Sequence, residues 1–193
     1  MAHWQTFDSP VRYGSVSRLL HWTMAAIVLL QFVSAACHFL LERTHPVRDF
    51  FWGTHTSVGF AILVLVLVRG AWALANLRRR PPAGNVRFGR LAPLGHLVLY
   101  LLMIAIPTLG LVRQWGAGRE FSAFGIPIFQ GTSGPEVGAL VEAGNGFHGL
   151  LGWSLLALVV AHALVAVSHN VLWNEDVVRR MVGTPGAGGA SPR

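Results

Sequence analysis

Nine histidines stand among the 193 residues of this sequence. Seven of them, His21, His38, His55, His96, His148, His162 and His169, lie in or beside long apolar runs. His148 and His162 are fourteen residues apart. On a helix that is close to four turns, so the two share a face and stand about 21 Å apart along the axis. One helix thus offers imidazoles at two depths. By position in their runs, His55 matches His148 at one depth and His21 matches His162 at the other. Neutral imidazole is a good ligand for iron. Two imidazoles facing each other fill both axial positions of a haem and leave none for a substrate, which suits electron transfer rather than oxygen binding. Polar side chains between membrane helices also act as simple packing glue, the competing explanation for each histidine. His38 lies at the depth of His55, and spacing alone leaves both as partners for His148. His3 and His45 fall outside the runs and read as solvated residues.

Other residues join these pairs. Arg69 follows His55 by fourteen residues on nearly the same face. An arginine inside a membrane needs an anion, and a haem propionate would supply one. Snorkelling to the interface is its other reading. Arg18, just before His21, has the same two readings. His96 opens the third run and reads as an interfacial residue. His169 and Trp173 are four apart and share a helix face. They could hold a quinone headgroup, although a Trp there also fits an ordinary interfacial belt. Glycines flank two of the histidines, at Gly53, Gly59, Gly146, Gly149 and Gly152. A porphyrin is a broad plate, and small residues let it approach the backbone.

Four apolar runs must carry these residues: 19–41, 51–77, 91–112 and 147–172. Each has the roughly 20 residues a helix needs to cross about 30 Å of hydrocarbon. Period-two alternation is absent, which argues against a membrane barrel. Hydrophobic residues make up 53% of the chain and charged residues only 12%, too few charges for the surface of a soluble domain. The mean hydropathy of +0.52 agrees. Cys37 is the single cysteine, which excludes an internal disulfide, a CxxC motif and a cysteine-built cluster. The fold class read here is an all-α membrane protein, a four-transmembrane-helix bundle over residues 1–182. A disordered tail rich in Gly, Ala and Pro is expected at 183–193.

Charge placement sets the expected orientation. The net charge is +7, and all fifteen basic residues are Arg. Most sit just outside the apolar runs rather than on a nucleic-acid-binding face. Arg78, Arg79, Arg80, Arg87 and Arg90 fill the second connection without an acid, so that segment faces the cytoplasm. Arg12, Arg18, Arg179 and Arg180 place both termini on the same side. The polar start, Met1 to Ser17, lacks the pattern of a signal peptide, and the first run reads as retained. The long third connection, with Phe121, Phe124, Ile126, Ile128 and Phe129, is too apolar for a free loop and is expected to lie on the membrane or cap the bundle.

The whole pattern resembles the bacterial cytochrome b561 family. The matching segments are Tyr13-Gly-Ser-Val-Ser-Arg-Leu-Leu-His21-Trp22, His55 with Ser57-Val58-Gly59, and Gly95-His96-Leu-Val-Leu-Tyr100 with Pro107 and Gly110. Phe121-Ser-Ala-Phe-Gly125, the pair His148 and His162, and the end with His169 and Trp173 also match. Nearly the whole chain except its tail is covered. The resemblance implies four helices in a bacterial inner membrane and two haem b groups. It assigns His21 and His162 to the cytoplasmic-side haem and His55 and His148 to the outer one, leaving His38 as a non-ligand. It also implies electron exchange with ubiquinone near His169 and Trp173. In the superoxide oxidase type, an electron passes from superoxide to ubiquinone.

The expectation is therefore a di-haem membrane cytochrome, working either as an oxidoreductase of the superoxide:quinone type or as an electron carrier without catalysis of its own. The rival with haem is a b-type membrane subunit of a larger dehydrogenase or hydrogenase. The rival without haem is a small transporter or structural membrane protein. No nucleic-acid partner is expected. One feature bears on superoxide. The connections expected outside carry Arg43, Arg48, Arg113 and Arg119 against five acids, so net charge there does not steer an anion.

Overall fold

A computed structural model describes residues 5–82, 87 and 89–183. His3 and, beyond Gly183, the tail expected to be disordered lie outside the described residues.

Among the described residues, four helices are long and apolar enough to cross a membrane: α1 (Ser15–Leu40), α2 (Pro46–Ala75), α3 (Ala92–Gly116) and α4 (Gly138–Val171). All four apolar runs are thus helical. Each helix overruns its run at one end, α1, α2 and α4 at the start and α3 at the finish, because apolar length measures bilayer depth, not where hydrogen bonding stops. α4 shows this best, starting at Gly138 rather than Phe147. Its first turns contain Glu142 and Asn145, which interrupt the apolar run without disfavouring helix. α2 opens on Pro46, whose missing N–H costs nothing at a first helical position. Large apolar side chains stand exposed along these helices, Phe39 at 76% and Leu74 at 72% among them. In water such a surface would drive aggregation; against lipid it is the solvated face.

The described chain packs as two compact units, each drawing on all four long helices. The terminal unit comprises Met1–Thr23, Val68–Leu99 and Ala157–Arg193, and the middle unit comprises Met24–Leu67 and Tyr100–Leu156.

In the terminal unit the segment before α1 is folded rather than loose. Asp8 is buried, its Oδ1 accepts from the Gly14 N–H at 2.9 Å, and its N–H donates to Asn76 Oδ1 at 3.3 Å. Arg80 Nε lies 3.3 Å from Asp8 Oδ2 as an ion pair. Phe7 stacks on Trp72 with ring centres 5.4 Å apart, and Trp72 Nε1 donates to Ser17 Oγ at 2.9 Å. Gly14 is required here, because a Cβ would run into the Thr6 and Phe7 backbone. At the other end a short helix, α5 (Val177–Val182), docks on α1. Arg18 Nη1 donates to Val182 O at 2.9 Å and Trp22 Nε1 to Met181 O at 3.2 Å.

In the middle unit the third connection forms a hairpin of β1 (Phe121–Ala123) and β2 (Ile126–Phe129). The strands are antiparallel, with Phe121 opposite Phe129 and a bulge after it. Phe124 and Gly125 make the turn at φ 50° and 83°, the positive-φ pair that two-residue hairpins use. Phe121 and Ala123 are buried, and the Phe121 ring meets Phe60 of α2 at 5.8 Å. Phe121 thus packs on the unit, while Phe124, Ile126 and Ile128 of the same hairpin stand exposed.

Candidate functional site

Each unit contains a facing pair of histidines. In the middle unit the ring centres of His55 on α2 and His148 on α4 are 6.2 Å apart. Two imidazoles that share one metal at about 2 Å from each nitrogen place their ring centres about 6 Å apart. The spacing therefore fits a single iron between them.

The hydrogen bonds settle which nitrogen is free. His148 Nδ1 lies 2.9 Å from the Ile106 carbonyl oxygen. A carbonyl only accepts, so the proton is on Nδ1 and the Nε2 lone pair is available. His55 Nδ1 lies 3.2 Å from Ser34 Oγ, and that hydroxyl donates to Phe51 O at 2.8 Å. With its one proton committed, Ser34 can only accept from His55. Its Nδ1 is protonated too, and Nε2 is again free. Partners of this kind orient metal-binding histidines and raise their basicity.

There is also room for a plate. A cavity of about 420 Å³ is lined by His55 and His148 and by Gly59, Gly110, Gly144, Gly149 and Gly152. A Cβ built on Gly149 or Gly152 would meet nothing within 4 Å, whereas one on Gly110 would stand 3.2 Å from His148 Cε1. The first two glycines keep the cavity open, and the third clears the ligand ring. Gln31 Oε1 and His38 Nδ1 are buried without a hydrogen-bond partner, and both residues line the cavity. The donor set, the spacing and the space all fit a haem. His38 itself stacks on Trp52 with ring centres 3.5 Å apart, while the ring facing His148 is that of His55.

In the terminal unit His21 on α1 and His162 on α4 have ring centres 6.3 Å apart, and this spacing also fits one iron. His96 on α3 is nearer still to His162, at 5.4 Å. His96, an exposed residue near the start of α3, thus stands beside the pair. A second difference concerns Arg69. Its Nη2 lies 3.0 Å from His21 Nδ1. A guanidinium only donates, so Nδ1 accepts and the ring proton of His21 sits on Nε2. Ligation through Nε2 requires that contact to be released. Arg18 is directed to α5, where its Nη1 donates to Val182 O as described above.

At the end of α4, the His169 ring meets that of Trp173, two residues past the helix, with ring centres 4.8 Å apart. His169 is only 6% exposed. Its Nδ1 lies 2.5 Å from Glu175 Oε2, and Glu175 Oε1 accepts from the Arg87 N–H at 3.0 Å.

The model of prokaryotic cytochrome b561 matches residues 12–184. The chain belongs to that family. Relatives run along almost its full length. Cytochrome b561 homolog 2 of Escherichia coli is 29% identical, covering 91% of this chain and 94% of its own. The probable superoxide oxidase CybB of Yersinia pestis is 26% identical over 89% and 96%. Cytochrome b562 of Cereibacter sphaeroides is 26% identical over 88% and 94%. As a prokaryotic cytochrome b561 with four spans, the chain is a multi-pass protein of the bacterial inner membrane that binds b-type haem and transfers electrons.

Ser34, the Ile106 carbonyl and Glu175 all bear on the histidines of this cytochrome b561, yet none is found by reading the sequence. A hydroxyl on a neighbouring helix and a backbone oxygen carry no periodic signal. Glu175 could have been suspected only from its closeness in sequence to His169.

Proposed function

We propose that this cytochrome b561 holds two b-type haems, one between His55 and His148 and one between His21 and His162, and exchanges electrons with membrane quinone. The observation that carries the reading is the middle pair, whose Nδ1 protons are both committed and whose Nε2 atoms are left for iron. When bound, each haem would supply a one-electron redox centre. The chain's own residues orient it. Ser34 and Ile106 fix two ligand rings, and the cavity glycines admit the macrocycle. In the terminal unit, Arg69 would pair with a haem carboxylate in place of His21, leaving His21 Nδ1 to carry its proton. An arginine at this depth needs an anion, and a carboxylate matches its fork.

The proposed quinone site is His169 and Trp173, and the support is an imidazole and an indole in edge-on contact at one end of α4. Superoxide is the proposed donor; the support is likeness to a relative named as a superoxide oxidase. Arginine placement puts both termini in the cytoplasm.

Reduced-minus-oxidised spectra of purified protein test the haems. His148→Ala and His162→Ala are each expected to halve the haem-to-protein ratio, and the double variant to abolish it. Absence of b-type bands, or full haem content in both variants, refutes the reading. Stopped-flow reduction of quinone by superoxide tests the donor, and a rate equal to the uncatalysed one removes it.

A further inference from the structure

The turn after α4 is built to bring one carboxylate back onto His169. Asn174 takes φ 56°, a left-handed conformation that only Asn, Asp and Gly adopt readily. The reversal lets the Glu175 N–H donate to His169 O at 2.9 Å. It also sets Glu175 Oε2 2.5 Å from His169 Nδ1. The second oxygen, Oε1, is tied to the Arg87 N–H at 3.0 Å. Arg87 in turn lies over the Trp173 ring, 5.4 Å from its centre. A carboxylate on Nδ1 fixes the imidazole tautomer and stabilises the imidazolium, the arrangement that makes a histidine a good proton donor and acceptor at Nε2.

We propose that Glu175 and His169 form a proton-transfer dyad for quinone, with His169 as the residue that touches the quinone and Glu175 as its positioning residue. This rests on the quinone site argued above. Reduction of a quinone to a quinol takes two electrons and two protons. The electrons are those the cytochrome delivers, one at a time. One carbonyl oxygen gains its proton from His169 Nε2, forming an O–H bond as the imidazolium returns to the neutral ring. The other oxygen takes its proton from water. In the reverse direction Nε2 accepts the quinol proton, and Glu175 holds the cation so formed. The carboxyl of Glu175 is kept below its ordinary range, first by the Arg87 N–H and then by the hydrogen bond with His169. It therefore stays anionic while the imidazole changes charge.

The test pre-reduces the purified, haem-loaded protein and follows its oxidation by a short-chain ubiquinone analogue. Glu175→Gln can still accept from Nδ1 but cannot stabilise an imidazolium. The expected result is a fall in kcat of about 100-fold, with KM unchanged within a factor of about three and a larger solvent isotope effect. Haem content equal to the parent shows that the fold is intact. Glu175→Asp, which keeps the charge, is expected to lose far less than Glu175→Gln while staying measurably below the parent. An unchanged kcat in Glu175→Gln overturns the dyad and leaves the quinone site standing. Equal loss in KM and no isotope effect assign Glu175 to structure alone and also overturn it. If Glu175→Gln does not assemble, Glu175→Asp carries the test: a carboxylate one methylene short is expected to lower kcat measurably at constant KM, and no change overturns the dyad. Failure of the parent protein to be oxidised by the quinone overturns the quinone reading itself, and the dyad with it.

Discussion

At the scale of the residue, what distinguishes the histidines is where their protons are. His148 and His55 each spend Nδ1–H on an acceptor, Ile106 O and Ser34 Oγ, and so offer Nε2. His21 does the opposite while Arg69 donates to its Nδ1. Ser34→Ala removes the acceptor beside His55. Loss of such a partner is expected to weaken metal-group retention about 10- to 100-fold. Titrating haem into the purified apoprotein would show it as a weaker second binding phase; full-affinity binding would count against the tautomer assignment. Gly110→Ala pushes a methyl against the His148 ring, where the Cβ would stand at 3.2 Å from Cε1. The expected outcome is loss of one haem with the other retained, read from the haem-to-protein ratio.

At the scale of the element, the terminal unit is held by pieces that look incidental in sequence. The segment before α1 buries Asp8 between Gly14, Asn76 and Arg80. Breaking a buried pair by removing one partner costs about 3–5 kcal/mol, and Arg80 is itself partly exposed, so the low end applies. Asp8→Ala should therefore destabilise the folded protein by about 3 kcal/mol, visible as a lower midpoint in thermal unfolding followed by circular dichroism in detergent. Tyr13, in the same corner, provides a pH test. Burial raises its phenol above the ordinary 10.0, against an opposing effect of Arg80. For an acid raised on folding, the stabilising contribution is fully present below the unfolded value and is lost as pH rises from there through the folded value. Stability is thus expected to fall above pH 10.0, and Tyr13→Phe should remove that part of the decline. An identical alkaline profile in the variant would reject the assignment.

At the scale of the whole molecule, function depends on the membrane as solvent and on which charges face which side. The connections proposed to lie outside hold four Arg against five acids. Long-range attraction of an anion needs a net positive field and is strongly salt-dependent. The rate with superoxide is therefore expected to change by less than about twofold between low and high ionic strength. A steep fall with salt would show that local arginine clustering, not net charge, governs the encounter.

Four spans, the second connection's arginines and the fourteen-residue repeat between His148 and His162 were all legible in the sequence. The reason is physical: hydrocarbon thickness fixes helix length, and helical periodicity fixes which residues share a face, both without reference to any neighbour. Spacing could not choose between His38 and His55, because depth is one coordinate and a ligand needs three. The resemblance favoured His55. The tertiary structure stacks His38 on Trp52 and turns His55 towards His148. It likewise set His96 beside His162, gave Arg69 a histidine partner, and returned Glu175 to His169 through the turn at Asn174. Each of these depends on contacts between elements, and on hydrogen-bond partners such as a backbone carbonyl that no side-chain pattern records. The sequence by itself determined a helical membrane protein with imidazoles at two depths. Only the tertiary structure decided which nitrogen each imidazole has to give.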